Sequence, residues 1–84
     1  MSATISVRLR CFSHVRDAFG AAEVSLELPA GATAAVVEAK VREALPASLA
    51  GLALRVAVNQ QIVDSDAVLR AGDEVAVLPP VQGG

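Results

Sequence analysis

The chain has 84 residues, 54% of them hydrophobic, with seven basic and nine acidic side chains for a formal net charge of −2. That length allows one small domain, expected to bury about 60–65% of its unfolded surface in a single modest core. Phe12 and Phe19 are the only aromatics and no basic stripe exists, which argues against a nucleic-acid binder; no run of about 20 apolar residues is present to cross a membrane.

In chain order, the N-terminal residues lack the basic and long apolar regions of a secretory signal. Ile5, Val7, Leu9 and Cys11 then alternate with Ser6, Arg8 and Arg10, the period of a half-buried strand over about 4–12. Ser13 is placed to cap a short helical turn running to Phe19, which Gly20 ends in the left-handed region. Val24, Leu26 and Leu28 alternate with Glu23, Ser25 and Glu27, predicting a second strand antiparallel to the first. Pro29-Ala30-Gly31 is a turn, and Thr33 is the N-cap expected for a helix over about 34–45. Its buried stripe is Val37, Val41, Ala44 and Leu45, with Glu38, Lys40, Arg42 and Glu43 largely in solvent, and Pro46 ends it. Leu52, Leu54, Val56 and Val58 alternate as a third strand ending at Asn59. Ile62-Val63 reads as a short fourth strand, Arg70-Ala71-Gly72-Asp73 as a turn and Glu74–Leu78 as the last strand. The fold class is therefore α+β: one main helix packed on one face of a mixed sheet.

The most telling stretch comes directly after that last strand: Pro79-Pro80-Val81-Gln82-Gly83-Gly84. The proline pair donates no N–H, so it ends sheet pairing and projects the last four residues away from the domain. Two residues without a Cβ make the segment thin enough to enter a narrow channel. The Gly84 carboxylate is then the least hindered acyl group of the chain. On this reading residues 1–78 are the domain and residues 79–84 a flexible carrier tail.

Three segments give the chain a family resemblance. They are Phe12-Ser13-His14-Val15-Arg16-Asp17-Ala18-Phe19-Gly20, Val58-Asn59-Gln60, and Gly72-Asp73-Glu74-Val75-Ala76-Val77-Leu78 followed by the Pro-Pro-Val-Gln-Gly-Gly end. The chain resembles the small, sulfur-carrying subunit of molybdopterin synthase, the MoaD family. The resemblance covers the whole element order and is most specific over the last thirteen residues. It departs where Val77-Leu78 replace common aromatics and Asp17 replaces a usual glutamate. The resemblance implies a β-grasp, ubiquitin-like fold in which the first and last strands lie parallel at the centre. It also implies the chemistry of the tail. An E1-like adenylating enzyme uses ATP to convert the Gly84 carboxylate into an acyl-adenylate, a sulfur donor displaces the adenylate, and the resulting thiocarboxylate delivers sulfur to cyclic pyranopterin monophosphate in the large subunit of molybdopterin synthase. In that scheme Gly84 is the acyl carrier, Gly83 gives clearance, and Pro79, Pro80, Val81 and Gln82 set direction and reach. The resemblance thus implies the sulfur-donating small subunit of a heteromeric sulfurtransferase, of the heterotetrameric kind, that is not expected to be catalytic alone.

The residues themselves supply no phosphate cradle of the Gly-x-x-x-x-Gly-Lys-Ser/Thr or Gly-x-Gly-x-x-Gly kind and no metal-ligand cluster, so no cofactor is expected on this chain and ATP is left to the activating enzyme. Cys11 falls in phase with the apolar face, which makes it a core thiol rather than a sulfur relay. A lone cysteine fits a reducing compartment, here the cytoplasm. His14 has no partner at a catalytic spacing. Arg16 stands where the family has arginine, as a turn contact or a partner contact. Asp64, Ser65 and Asp66 read as a solvated turn.

Strand phase predicts a docking surface: Phe12 is out of phase with the core set of the first strand, and Ala76 and Leu78 are out of phase with Val75 and Val77. If those strands are parallel neighbours, Phe12 and Leu78 meet on the face away from the helix, with Arg8, Arg10 and Arg55 as a polar surround. Two other classes share the tail: a sulfur carrier for thiazole, cysteine or tRNA thiolation, and a protein modifier forming isopeptide bonds. A plain interaction module with an inert tail is a third.

Overall fold

The computed structural model describes residues 3–48, 51 and 53–78. The elements are β1 (Thr4–Arg10), α1 (Ser13–Phe19), β2 (Glu23–Pro29), α2 (Ala34–Ala44), β3 (Arg55–Val58), β4 (Gln61–Val63) and β5 (Glu74–Leu78). They form a five-stranded mixed sheet in the order β2-β1-β5-β3-β4. β1 and β2 pair antiparallel from Thr4↔Pro29 to Arg10↔Glu23. β5 lies parallel to β1, with Leu9 opposite Val75, and antiparallel to β3, with Val56 opposite Val77. The first and last strands are thus parallel neighbours inside the sheet, the placement that the family resemblance implies.

The alternation read from the sequence fixes which face is buried. Val7, Leu9, Leu28, Val56, Val75 and Val77 point toward α2, whose Ala34, Val37 and Val41 are inaccessible to solvent. Val15 from α1 and Leu69 complete the cluster. Each fully buried Val or Leu side chain contributes about 1.5–3 kcal/mol, which is how a chain of this size holds together without disulfides. Among the described residues, no helix is long and apolar enough to cross a membrane.

Several local expectations shift. β1 ends at Arg10 rather than Phe12, because its ladder with β2 closes at Glu23. Phe12, not Ser13, is the N-cap of α1: its backbone is still extended (φ −126°, ψ 148°), and its carbonyl accepts from the Val15 and Arg16 amides at 3.0 and 3.3 Å. Gly20 ends the helix at φ 74°, its N–H bonded to the Arg16 carbonyl at 2.8 Å, as the left-handed cap predicts. Thr33 caps α2 by position but not through its side chain. The carbonyls of Ala67 and Ser65 instead accept from the Ala34 and Ala35 amides at 2.9 Å each, so the 64–67 loop satisfies two of the exposed donors of the first turn. Ala44, expected in the buried stripe, is exposed, and the last apolar contact is made by Leu45 just beyond the helix. β3 is shorter than predicted, covering Arg55–Val58; Leu52 lies outside the described residues, and Asn59 belongs to the turn between β3 and β4.

Candidate functional site

The residues that alternate with the core set are brought together on the open face of the sheet, the face turned away from α2. The register aligns them in rows. One row runs Glu23, Arg10, Ala76, Ala57, Ile62, and the row toward the start of β5 carries Arg8 and Glu74. Continuing the β1–β5 register past Arg10↔Ala76 sets Phe12 opposite Leu78, and Leu78 pairs with Arg55 of β3. Arg10, Phe12, Ala57, Gln60, Ile62, Glu74, Ala76 and Leu78 line one open depression of about 360 Å³. Phe12 is 41% exposed and Ile62 55% exposed, while Leu78 is half-buried. Large apolar side chains left this open around a concavity make this face a candidate interaction surface.

The N-cap position of Phe12 bears on this. Caps favour Ser, Thr, Asp or Asn, and an apolar residue there forgoes about 1 kcal/mol. An aromatic at that point packs little into the core and instead forms one wall of the depression.

The charges on this face form a ladder. Arg8 lies 3.9 Å from Glu23 and 4.0 Å from Glu74, and Arg10 lies 3.7 Å from Glu74. The Arg10 guanidinium also sits over the Phe12 ring, 5.9 Å from its centroid, within the range of a cation–π contact. Arg8, Arg10 and Glu23 are about half exposed or more and Glu74 is partly buried, at N–O separations of 3.7–4.0 Å, so each pair contributes little to stability; together they hold Arg10 and Glu74 at the rim. Arg55 is exposed beside Leu78, and no ion pair engages it among the described residues.

A second feature borders the depression. The β3–β4 hairpin turns through Asn59 (φ 50°) and Gln60 (φ 72°), between the pair Val58↔Gln61. Two positive φ angles in a two-residue loop match the type I′ turn, whose second position favours glycine. Asn59 is clamped to the entry of β5. Its amide donates to Asp73 Oδ1 at 3.1 Å, its side-chain oxygen accepts from the Glu74 N–H at 3.1 Å, and its own N–H reaches the Glu74 carbonyl at 2.7 Å. Asp73 Oδ2 accepts from the Arg70 N–H at 2.8 Å, closing the turn in which Gly72 has φ 86°. The Val-Asn-Gln and Gly-Asp-Glu segments singled out in the sequence are therefore two halves of one bracket that fixes where β5 starts.

Of the sequence-predicted site residues, Phe12, Leu78 and Arg10 converge on the depression. Arg8 does not line it; it sits one row away, between two glutamates. Pro79, Pro80, Val81, Gln82, Gly83 and Gly84 lie outside the described residues, as does the side chain of His14. Arg16 is exposed and makes no ion pair among the described residues. Cys11 is 3% exposed, its thiol turned toward the Leu9 carbonyl at 3.7 Å, and burial pushes its pKa up, which keeps it protonated and unreactive. Among the described residues, no group of three or more His, Cys, Asp or Glu is placed to hold a metal ion. Ala76 shares the face with Leu78, as its strand phase predicts. Sequence reasoning missed Ala57, Gln60 and Ile62; Ile62 was findable, since it falls out of phase with Val63 of its own strand.

The ThiS family profile matches residues 9–84. Among solved structures, a Pyrococcus furiosus protein provisionally assigned as molybdopterin converting factor subunit 1 is 26% identical, with 92% of this chain and 99% of that one covered at a TM-score of 0.76. The Haloferax volcanii HVO 2177 protein is 28% identical over 96% of this chain and 88% of its own, with a TM-score of 0.77. The small archaeal modifier protein 1 of H. volcanii is 21% identical over 92% of this chain and 99% of its own at a TM-score of 0.75, a likeness of fold. The architecture is the ubiquitin-like β-grasp, the fold shared by sulfur carriers and small protein modifiers.

Proposed function

The chain belongs to the ThiS family, and from that premise we propose that it is a sulfur carrier whose Gly84 carboxylate is activated, converted to a thiocarboxylate and used as a sulfur donor in making molybdopterin. The observation that carries the reading is the position of Leu78. It is the last residue of a strand flanked on both sides within the sheet, and it lines the open depression beside Phe12. A protein that grips this face takes hold of the chain at the point where Pro79 begins. The docking face and the acyl group are thereby linked by six residues of sequence.

The chemistry arises from the weakness of a carboxylate as an electrophile. Attack of the Gly84 carboxylate on the α-phosphate of ATP, bound by an E1-like adenylating enzyme, releases pyrophosphate and leaves an acyl-adenylate. Hydrosulfide supplied by the sulfur donor then attacks the acyl carbon, AMP departs and the S–H proton is lost, leaving a C-terminal thiocarboxylate. That group is ionised at neutral pH and is the nucleophile delivered to cyclic pyranopterin monophosphate in the large synthase subunit. Two such deliveries build the two sulfurs of the dithiolene. This chain contributes the acyl group and the docking face; ATP and the pterin belong to its partners. The cytoplasm is the proposed compartment, in keeping with one unpaired, buried thiol.

Support for the molybdopterin branch comes from the Pro-Pro-Val-Gln-Gly-Gly end and the 26% identical P. furiosus protein. The test is reconstitution of this chain with the large subunit, an E1-like enzyme, ATP and a sulfur donor, with assay of molybdopterin. Formation that is lost on deleting Gly84 supports the proposal. Undiminished formation with the Gly84-deleted chain contradicts it.

A further inference from the structure

The depression owes its shape to two alanines. Ala57 and Ala76 are direct cross-strand partners of β3 and β5, at the middle of the open face. Each neighbour in their row is long: Arg10 beyond Ala76 and Ile62 beyond Ala57. Two adjacent methyl groups between longer side chains leave the floor one side chain lower than the rim. Ala57 is only 7% exposed although it points away from the core, so it lies at the bottom of a recess and not on a flat sheet. The rim is apolar at Phe12, Ile62 and Leu78.

The electrostatics of the rim are one-sided. Glu74, the only carboxylate among the described residues that line it, is engaged by Arg8 and Arg10. Arg10 spans Glu74 and the Phe12 ring, and Arg55 stands beside Leu78 with no ion pair among the described residues. An occupant of matching chemistry is apolar where it meets the alanines and negative where it meets Arg10 and Arg55.

We propose that the Ala57–Ala76 recess is a socket for one large apolar side chain of a partner protein, carried next to a carboxylate that pairs with Arg55 and Arg10. The proposal rests on the docking reading of this face and makes it specific. A single buried anchor in a preformed pocket, ringed by groups that exclude water, is the arrangement that concentrates binding energy in few residues. Gln60, at φ 72° in the turn that the Asn59 bracket holds, stands on the edge of the recess; strain of this sort collects at binding sites.

Two titrations of the isotope-labelled full chain test this. The first adds 3-phenylpropionate, a ring with a carboxylate, and as control 3-phenylpropylamine, the same ring with an ammonium. Saturable shifts at the amides of Phe12, Ala57, Ile62, Ala76 and Leu78, stronger for the acid, are expected. A76L should weaken acid binding at least about tenfold by filling the socket, and R55E about threefold, the scale of an exposed charge pair. Circular dichroism checks each fold, and I62A, which removes one wall, serves if A76L fails to fold. No saturable shift at those amides, equal binding of acid and amine, or full binding by A76L or I62A overturns the socket. The second titration uses the large subunit of molybdopterin synthase. Binding that A76L leaves unchanged overturns the socket while sparing the docking reading. Binding of the acid at those amides without binding of the large subunit sinks the docking reading while sparing the socket.

Discussion

The two faces of the sheet are cut from the same strands and do opposite work. In β5, Val75 and Val77 are wholly buried against α2, whereas Ala76 and Leu78 between and after them remain partly open. The helix-facing side is filled by β-branched and leucine side chains that interdigitate to the density of a protein interior. The other side pairs alanine with alanine and leaves Phe12 and Ile62 in solvent. One face is finished by folding; the other is the face proposed for a partner. A shift of one residue in register would exchange these roles, so the bracket formed by Asn59, Asp73 and Glu74 protects function as well as stability.

Substitutions that trade the two faces should separate them, and the largest effect belongs to the core. Val77→Asp places an unpaired carboxylate at a wholly buried site, a cost of several kcal/mol set against a total stability of about 5–15 kcal/mol. No cooperative urea transition is expected; a wild-type midpoint would contradict the packing. One residue on, Leu78→Asp should leave stability within about 1 kcal/mol of wild type yet weaken the complexes with the large subunit and the adenylating enzyme about 30-fold or more, as loss of an anchor does. Unchanged affinity for both partners, with the fold confirmed by circular dichroism, would place the docking surface elsewhere.

Cys11 belongs to the helix-facing side. Cys11→Ala should cost on the order of 1 kcal/mol and leave sulfur transfer near normal; lost transfer with unchanged stability would make the thiol a relay. The same residue gives a pH signature. Because burial raises its pKa in the folded chain, the unfolded chain gives up the proton first as pH rises. The thiol's contribution is constant below the ordinary thiol range and is lost between the unfolded and the raised folded pKa. Wild-type stability should therefore fall in alkaline solution by more than that of Cys11→Ala, and parallel pH curves would refute the burial. The smallest effect is a gain: Gln60→Gly relieves a left-handed conformation costing about 1–2 kcal/mol in L-residues, less the added entropy of an unfolded glycine. A net rise of about 1 kcal/mol, with weaker docking, is expected; lower stability would show that the turn carries no strain.

What the sequence made legible is what obeys a period or a stereochemical rule. Alternation in Glu74–Leu78 located the strand and sorted its faces, and the glycines at 20 and 72 marked left-handed turns that the structure contains. Phe12 and Leu78 were placed on one face by phase together with the parallel β1–β5 pairing that the family resemblance implied. The recess was not legible, because it arises from the register Ala57↔Ala76, a pairing between strands nearly twenty residues apart in sequence. Nor was the capping of α2, which a Thr33 side chain was expected to supply and which two backbone carbonyls from the 64–67 loop supply instead. Both belong to tertiary pairing, which local pattern does not encode.

The central claim, that Gly84 is an acyl group made to carry sulfur, is tested most directly by the intact mass of the Cys11→Ala chain after incubation with an E1-like adenylating enzyme, ATP and a sulfur donor. That background leaves no cysteine, so a thiol-alkylating reagent reports only a thiocarboxylate. The account predicts a mass higher by the difference between one sulfur and one oxygen, an alkylated product with the label on Gly84, and neither in the Gly84-deleted chain. An unchanged mass, or Gly84 found only in amide linkage to lysine side chains, would contradict it.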